Sequence, residues 1–103
     1  MDADQLSGRL AAIASTQRMR ILAAVAAETT HVSELARRLG MSRALLYMHL
    51  QRLEEAGYVT GRFALSDDGK ALKLFEAVPF TLELDVATIV DAVQKSPKPE
   101  REN

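Results

Sequence analysis

The chain has 103 residues, 48% of them apolar, and carries 13 Lys/Arg against 14 Asp/Glu for a net charge of −1. That length supports one domain with a modest core, the apolar share argues against wholesale disorder, and no apolar run approaches the roughly 18 residues of a membrane span. Cysteine is absent, which excludes a disulfide framework, a thiolate metal site and thiol redox chemistry.

The opening MDADQLSGRL lacks the basic start and apolar stretch of a secretory leader, so a reducing cytoplasm is the expected setting. Residues 4–14 place Leu6, Leu10, Ile13 and Ala14 at helical spacing, weakened but not forbidden by Gly8. STQRMRILAAVAAE then predicts a second helix, with Ser15 or Thr16 as its cap and Arg18 and Arg20 near its start. THV at 30–32 is short and β-prone, His31 reads as a turn residue, and Ser33 is the expected cap of a third helix. Gly40 should stop that helix in the left-handed conformation. Ser42 should cap a fourth, running to about Ala56, where Gly57 ends it.

From Tyr58 the pattern changes. YVTGRFALS and KALKLFEAVPFTLEL are rich in β-branched and aromatic residues, and the DDG between them predicts a hairpin turn. Pro79 should make any strand bulge, end or lie at an edge there. DVATIVDAVQK sets Val86, Ile89, Val90 and Val93 on one side of a fifth helix capped by Asp85. The sequence therefore predicts one folded domain over residues 1–95, followed by a polar, proline-containing tail at 96–103 expected to be disordered. Helix, helix, helix–turn–helix, two-stranded hairpin, helix is the layout of a winged helix-turn-helix, a mainly α (α+β) fold.

The fourth helix carries the functional signal. With Leu46 as origin at 100° per residue, Leu50, Leu53 and Gly57 all fall within about 40° of it and define a buried stripe. Ala44, Tyr47, Met48, Gln51 and Glu55 fall between about 100° and 200°, on the far side, and Arg43 stays accessible in the first turn. Such a face suits a DNA major groove: arginine can pair with guanine, glutamine with adenine, and Ala44 or Met48 can touch a thymine methyl. Tyr47 can donate to a phosphate or a base edge. His49, at about 300°, reads either as a core-edge histidine bonded to backbone or as a phosphate contact. Charge distribution agrees with a nucleic-acid partner, because residues 16–75 hold nine Lys/Arg against six acids while both ends are net acidic.

At this point a family is recognisable. TQRMRILAAVA, SELARRLGMS and a following helix of the form S…HL..L..AGYV resemble the ArsR-like winged-helix transcriptional repressors over roughly residues 6–78. The resemblance implies a homodimer on a partly palindromic operator of double-stranded DNA, with a recognition helix at about 43–56 and a wing at about 58–78. It places Ser42, Arg43, Ala44, Tyr47 and Met48 at base-reading positions, beside Gln51 and Arg52, and aligns His49 with a histidine common there. It puts Arg62, Lys70 and Lys73 on the wing, against phosphate or minor groove, and lets Arg18 and Arg20 clamp the flanking backbone. The first and fifth helices become dimerisation helices, with Leu6, Leu10, Ile13, Val86, Ile89, Val90 and Val93 in the seam.

One departure from the family matters. Metal sensing is not carried over, since there is no cysteine and the last helix offers Asp85 and Asp91 without a histidine, six apart and not facing one another. No cofactor is expected. An effector, small molecule or protein, stays open: Phe75, Val78 and Phe80 could line a pocket, though core and interface is the plainer reading. Enzyme chemistry has no support, with no Gly-rich phosphate loop, nucleophile–base pair or carboxylate cluster. The alternative function is a winged-helix protein–protein interaction module, which the acidic wing tip Asp67-Asp68 would suit better than a phosphate surface.

Overall fold

The computed structural model describes residues 1–97; most of the tail expected to be disordered, from Lys98 on, lies outside the described residues. The elements are α1 (Ala3–Ile13), α2 (Thr16–Ala27), β1 (Thr30–His31), α3 (Val32–Leu39), α4 (Arg43–Glu55), β2 (Val59–Leu65), β3 (Ala71–Ala77) and α5 (Val86–Lys95).

Local chemistry accounts for most of the helix boundaries. Asp2 and Gln5 form a reciprocal capping box at the start of α1. Ser15, not Thr16, caps α2 by accepting from the Arg18 amide at 3.2 Å, and Asp85 caps α5 through the Thr88 amide at 2.7 Å. The expected Ser33 cap of α3 is corrected. His31 holds that position, its Nδ1 accepting from the Glu34 amide at 3.4 Å, and Ser33 lies inside the helix. The chain enters α3 directly from the paired strand β1, so the turn the serine cap needed never forms. The first residue of the expected tail is also tied down, since Ser96 Oγ accepts from the Ala3 amide at 2.8 Å.

The hairpin pairs antiparallel from Val59 opposite Ala77 to Leu65 opposite Ala71. A two-stranded wing was predicted, but β1 adds to the free edge of β3, with Thr30 opposite Phe75 and His31 opposite Leu74. Two residues carry no alternation from which a strand could be read. β3 ends two residues before Pro79, and residues 78–85 return along the body, the Val78 amide donating to the Tyr58 carbonyl at 2.9 Å. Gly61 has a packing role: a Cβ there would lie 2.8 Å from Lys73 Cε and 2.9 Å from the Phe75 ring.

The core lies where α2, α3, α4 and the base of the hairpin meet, built from Ile21, Val25, Leu35, Leu46, Leu50, Leu53, Tyr58 and Phe75. α1 is fastened to it by polar contacts. Tyr58 Oη donates to the Arg9 carbonyl at 2.6 Å, the Arg9 guanidinium sits 4.7 Å above the Tyr58 ring, and Arg9 Nη1 donates to the Ala56 carbonyl at 2.5 Å. Burial pushes the Tyr58 hydroxyl pKa up.

A candidate nucleic-acid interface

The turn between α3 and α4 sets the geometry of the interface. Gly40 adopts the left-handed conformation at φ 66°, ψ 33°, and the Met41 amide returns to the Ala36 carbonyl at 3.1 Å. Ser42 Oγ then accepts from the Leu45 amide at 3.1 Å and starts α4. On its inner side Leu46, Leu50 and Leu53 are fully buried. That anchorage fixes the rotation of the helix, so its opposite side must face outward.

That outer side holds the expected reading residues. Arg43, Ala44, Tyr47, Met48 and Gln51 are exposed together, with Tyr47 at 44% and Met48 at 59%, and the Ser42 cap lies at their N-terminal end. Arg43 Nη1 donates to Ser33 Oγ at 3.4 Å, a long bond linking the start of α4 to α3. The cations of α3 are already paired. Glu34 accepts from Arg37 Nε at 2.9 Å and Arg38 Nε at 2.8 Å, and these two guanidinium groups hold its carboxyl down at about 2. Arg38 also reaches Glu28 at 2.9 Å.

Other expected contacts are placed elsewhere. Arg18 Nη1 donates to the Ala11 and Ala12 carbonyls at 3.2 Å each, and its Nε donates to His49 Nδ1 at 3.3 Å. His49 Nε2 is buried with no hydrogen-bond partner among the described residues, so in this conformation neither ring nitrogen is offered to a phosphate. Its neighbour is a side chain, where the sequence suggested backbone. Burial first, and the Arg18 charge second, push its pKa below the ordinary imidazole value. Arg52 points away from the Tyr47 side and lines, with Arg9 and Arg18, an open cavity of about 830 Å³ between α1 and α4. Arg20 is exposed near the start of α2.

On the wing, Arg62 Nε pairs with Glu76 at 2.9 Å across the strands. Lys73 lies 4.6 Å from the Phe63 ring centroid and 5.5 Å from that of Phe75. Lys70 Nζ is 4.0 Å from Asp68. The Ser66 hydroxyl donates to Asp68, which lowers the pKa of that carboxyl. The tip therefore stays acidic. Phe63 and Leu65 stand exposed on one face of β2.

Of the expected seam residues, Val86, Ile89, Val90 and Val93 leave an apolar stripe on α5 at 75%, 46%, 47% and 58% exposure. Leu6 and Leu10 face Ile89 and Val93 across a small gap between α1 and α5, whereas Ile13 packs against the core. Reasoning from the sequence missed Arg9, Ser33 and Glu76 as partners. Only Glu76 had a signal, because a hairpin closed at DDG brings it across from Thr60 and diagonal to Arg62.

Comparison with known proteins decides the class. The family model described as "Bacterial regulatory protein, arsR family" matches residues 15–60. An uncharacterized HTH-type transcriptional regulator of Methanocaldococcus jannaschii is 30% identical over 74 residues, covering 72% of this chain and 77% of that protein.

The chain belongs to the ArsR family.

Solved structures agree on the fold. NolR from Sinorhizobium fredii superposes with a TM-score of 0.64 at 26% identity, over 87% of this chain and 81% of that one. HlyU from Vibrio cholerae in its reduced form gives 0.60 at 25%, over 75% and 76%. A homodimeric winged helix-turn-helix DNA-binding domain of a possible ArsR-family regulator from Mycobacterium bovis gives 0.62 at 24%, over 72% and 64%. As an ArsR-family member the chain has the DNA-binding winged helix-turn-helix fold of a transcriptional regulator, and the family is one of regulators, not enzymes. Among the described residues no helix is long and apolar enough to cross a membrane, and no group of three or more His, Asp or Glu side chains is placed to hold a metal ion.

Proposed function

We propose that this ArsR-family protein is a homodimeric repressor that binds a partly palindromic operator and blocks transcription by occupying it. The observation that carries the reading is the outer side of α4, where Arg43, Ala44, Tyr47, Met48 and Gln51 stand exposed while Leu46, Leu50 and Leu53 lock the opposite side into the core. One such helix fills the roughly 12 Å width of a major groove. Ser42, at the cap, lies where a helix N-terminus meets phosphate. Lys70 and Lys73 on the wing and Arg20 on α2 supply backbone contacts.

The dimer reading rests on the apolar stripe of α5. A monomer in water gains nothing by exposing Val86, Ile89, Val90 and Val93 in one line, whereas burying one such side chain fully contributes about 1.5–3 kcal/mol. The Mycobacterium bovis domain with the same fold is homodimeric, which supports the same arrangement here. Arg18 and His49 take internal roles in this reading. Arg52 flanks the reading face without joining it.

The test is a titration against the duplex upstream of its own gene and a scrambled duplex, each at two salt concentrations. Preferential binding that weakens steeply with salt is expected, because each neutralised phosphate adds about 0.9 to the slope of log K against log[salt]. A folded dimer that binds neither duplex at low salt would overturn the DNA reading and favour a protein-interaction module.

A further inference from the structure

Three guanidinium groups line the open cavity of about 830 Å³ between α1 and α4, those of Arg9, Arg18 and Arg52. Two are fixed on its walls by main-chain oxygens. Arg9 Nη1 donates to the Ala56 carbonyl and Arg18 Nη1 to the Ala11 and Ala12 carbonyls, and all three alanines belong to the lining. Arg18 also meets His49, so the three charges follow positions 49, 52 and 56 down one face of α4. Those positions span about 10 Å of helix. Arg9 and Arg18 are half-buried, yet among the described residues none of the three arginines forms an ion pair with a carboxylate. Carbonyl oxygens and an imidazole satisfy donors without neutralising the charge behind them. Each guanidinium carries five N–H donors, and the bonds above leave several uncommitted. Asp4 and Glu55 also line the cavity, but both are exposed and solvated where they stand.

We propose that this cavity binds a small anion carrying two or more phosphate groups, held by Arg52 of α4 together with Arg9 of α1 and Arg18 of α2. Guanidinium forks pair with phosphate oxygens bidentately, and several phosphates in a row answer three charges in a row better than one phosphate does. Arg52 flanks the reading side of α4, so a bound polyanion sets negative charge beside the surface that would meet DNA phosphate. The binding stands by itself; the coupling to DNA rests on the repressor reading above. Under that reading the anion opposes the operator and acts as an inducer, and by linkage DNA weakens anion binding by the same factor.

The probe is inorganic tripolyphosphate, titrated calorimetrically into the full chain without DNA or divalent cations, with orthophosphate as the single-group comparison. Tripolyphosphate is expected to bind roughly tenfold more tightly than orthophosphate. Arg52→Gln should weaken it roughly fivefold. Arg37→Gln, which removes an equal charge outside the cavity, should change it by less than about twofold, a screened long-range effect. On saturation the His49 imidazole pKa, followed by NMR, should rise, because the Arg18 charge that helps hold it down is neutralised. No binding, equal affinity for the two anions, equal loss in the two variants or an unmoved His49 titration would overturn the site. So would tripolyphosphate that fails to bind while Arg52→Gln lowers the salt slope of DNA binding by about one, the mark of a DNA backbone contact instead. With the site established, saturating tripolyphosphate should weaken operator binding several-fold beyond sulfate at matched ionic strength, an effect that Arg52→Gln removes. Unchanged DNA affinity would remove the coupling while leaving the site, and absence of DNA binding by the free protein would instead count against the repressor reading.

Discussion

Arg18→Ala separates two roles that the sequence alone could not. α1 ends at Ile13, so the Ala11 and Ala12 carbonyls fall among the four that a helix end leaves without an intrahelical donor. Arg18 Nη1 reaches both at 3.2 Å, and its charge lies at the negative end of the α1 dipole. Its Nε adds the 3.3 Å bond to His49. A hydrogen bond contributes about 0.5–1.5 kcal/mol net, and bonds this long to a half-exposed donor belong at the low end, so the three together come to about 2 kcal/mol. For a domain of this size that is a fall of roughly 8–16 °C in Tm. The variant also removes the second cause of the depressed His49 pKa, which should rise toward the ordinary imidazole value while staying below it, since burial remains. Thermal unfolding and an NMR titration of the imidazole measure the two effects. A variant that melts with the parent, keeps the His49 titration and loses about one unit of salt slope on DNA would refute the argument, and would make Arg18 a phosphate clamp.

Arg43→Ala should weaken operator binding by about 1–3 kcal/mol and relax one base position if the guanidinium pairs with guanine; a uniform loss across a panel of single-base variants would remove its base-reading role. Ile89→Asp should yield monomers in sedimentation, since it places a carboxylate in the middle of the α5 stripe, and an intact dimer would put the seam elsewhere. Glu34→Gln should loosen Arg37 and Arg38, and it should change the acid limb of stability. The folded pKa of about 2 lies below the ordinary 4.5, so the contribution of this ionised carboxylate is complete above 4.5 and is lost as pH falls toward 2. The parent should therefore lose stability over that window more steeply than the variant in chemical denaturation, and parallel curves would contradict the pairing. His49 acts the same way nearer neutrality: its depressed pKa makes stability complete above about 6.5 and lower as pH falls below it.

The parts of the fold that were legible are those decided by near neighbours. Ser42, Gly40 and Gly57 bracket α4 because capping and left-handed turns involve residues within one helical turn. The face of α4 was legible because three leucines on one side fix the rotation of the whole helix. The third strand was not, because a two-residue segment is defined only by the strand it meets. The cap of α3 was misread for a related reason: serine outranks histidine as a capping residue, but the pairing of β1 with β3 sets where the helix can begin. The charges show the same division. Arg18 looks identical in sequence whether it meets phosphate or a carbonyl, and only the α1–α2 junction decides.

Arg9 and Arg18 bear on function through position. Arg9 closes on the Ala56 carbonyl just beyond the end of α4, and Arg18 joins the end of α1 to His49 within α4. Both therefore tie α1, one wall of the proposed seam, to the helix that carries the reading face. Two recognition helices in a dimer must sit one turn of DNA apart, about 34–36 Å, to enter successive major grooves. That separation is set by how rigidly each α4 is held relative to the two-fold axis, and leucine packing alone fixes the rotation of α4 better than its distance from α1. Hydrogen bonds to two fixed helix ends constrain that distance, because their geometry tolerates only a few tenths of an ångström. Under the homodimer reading proposed above, cations placed at the ends of α1 and α4 hold the reading helix at operator spacing with the same charge that elsewhere would meet phosphate.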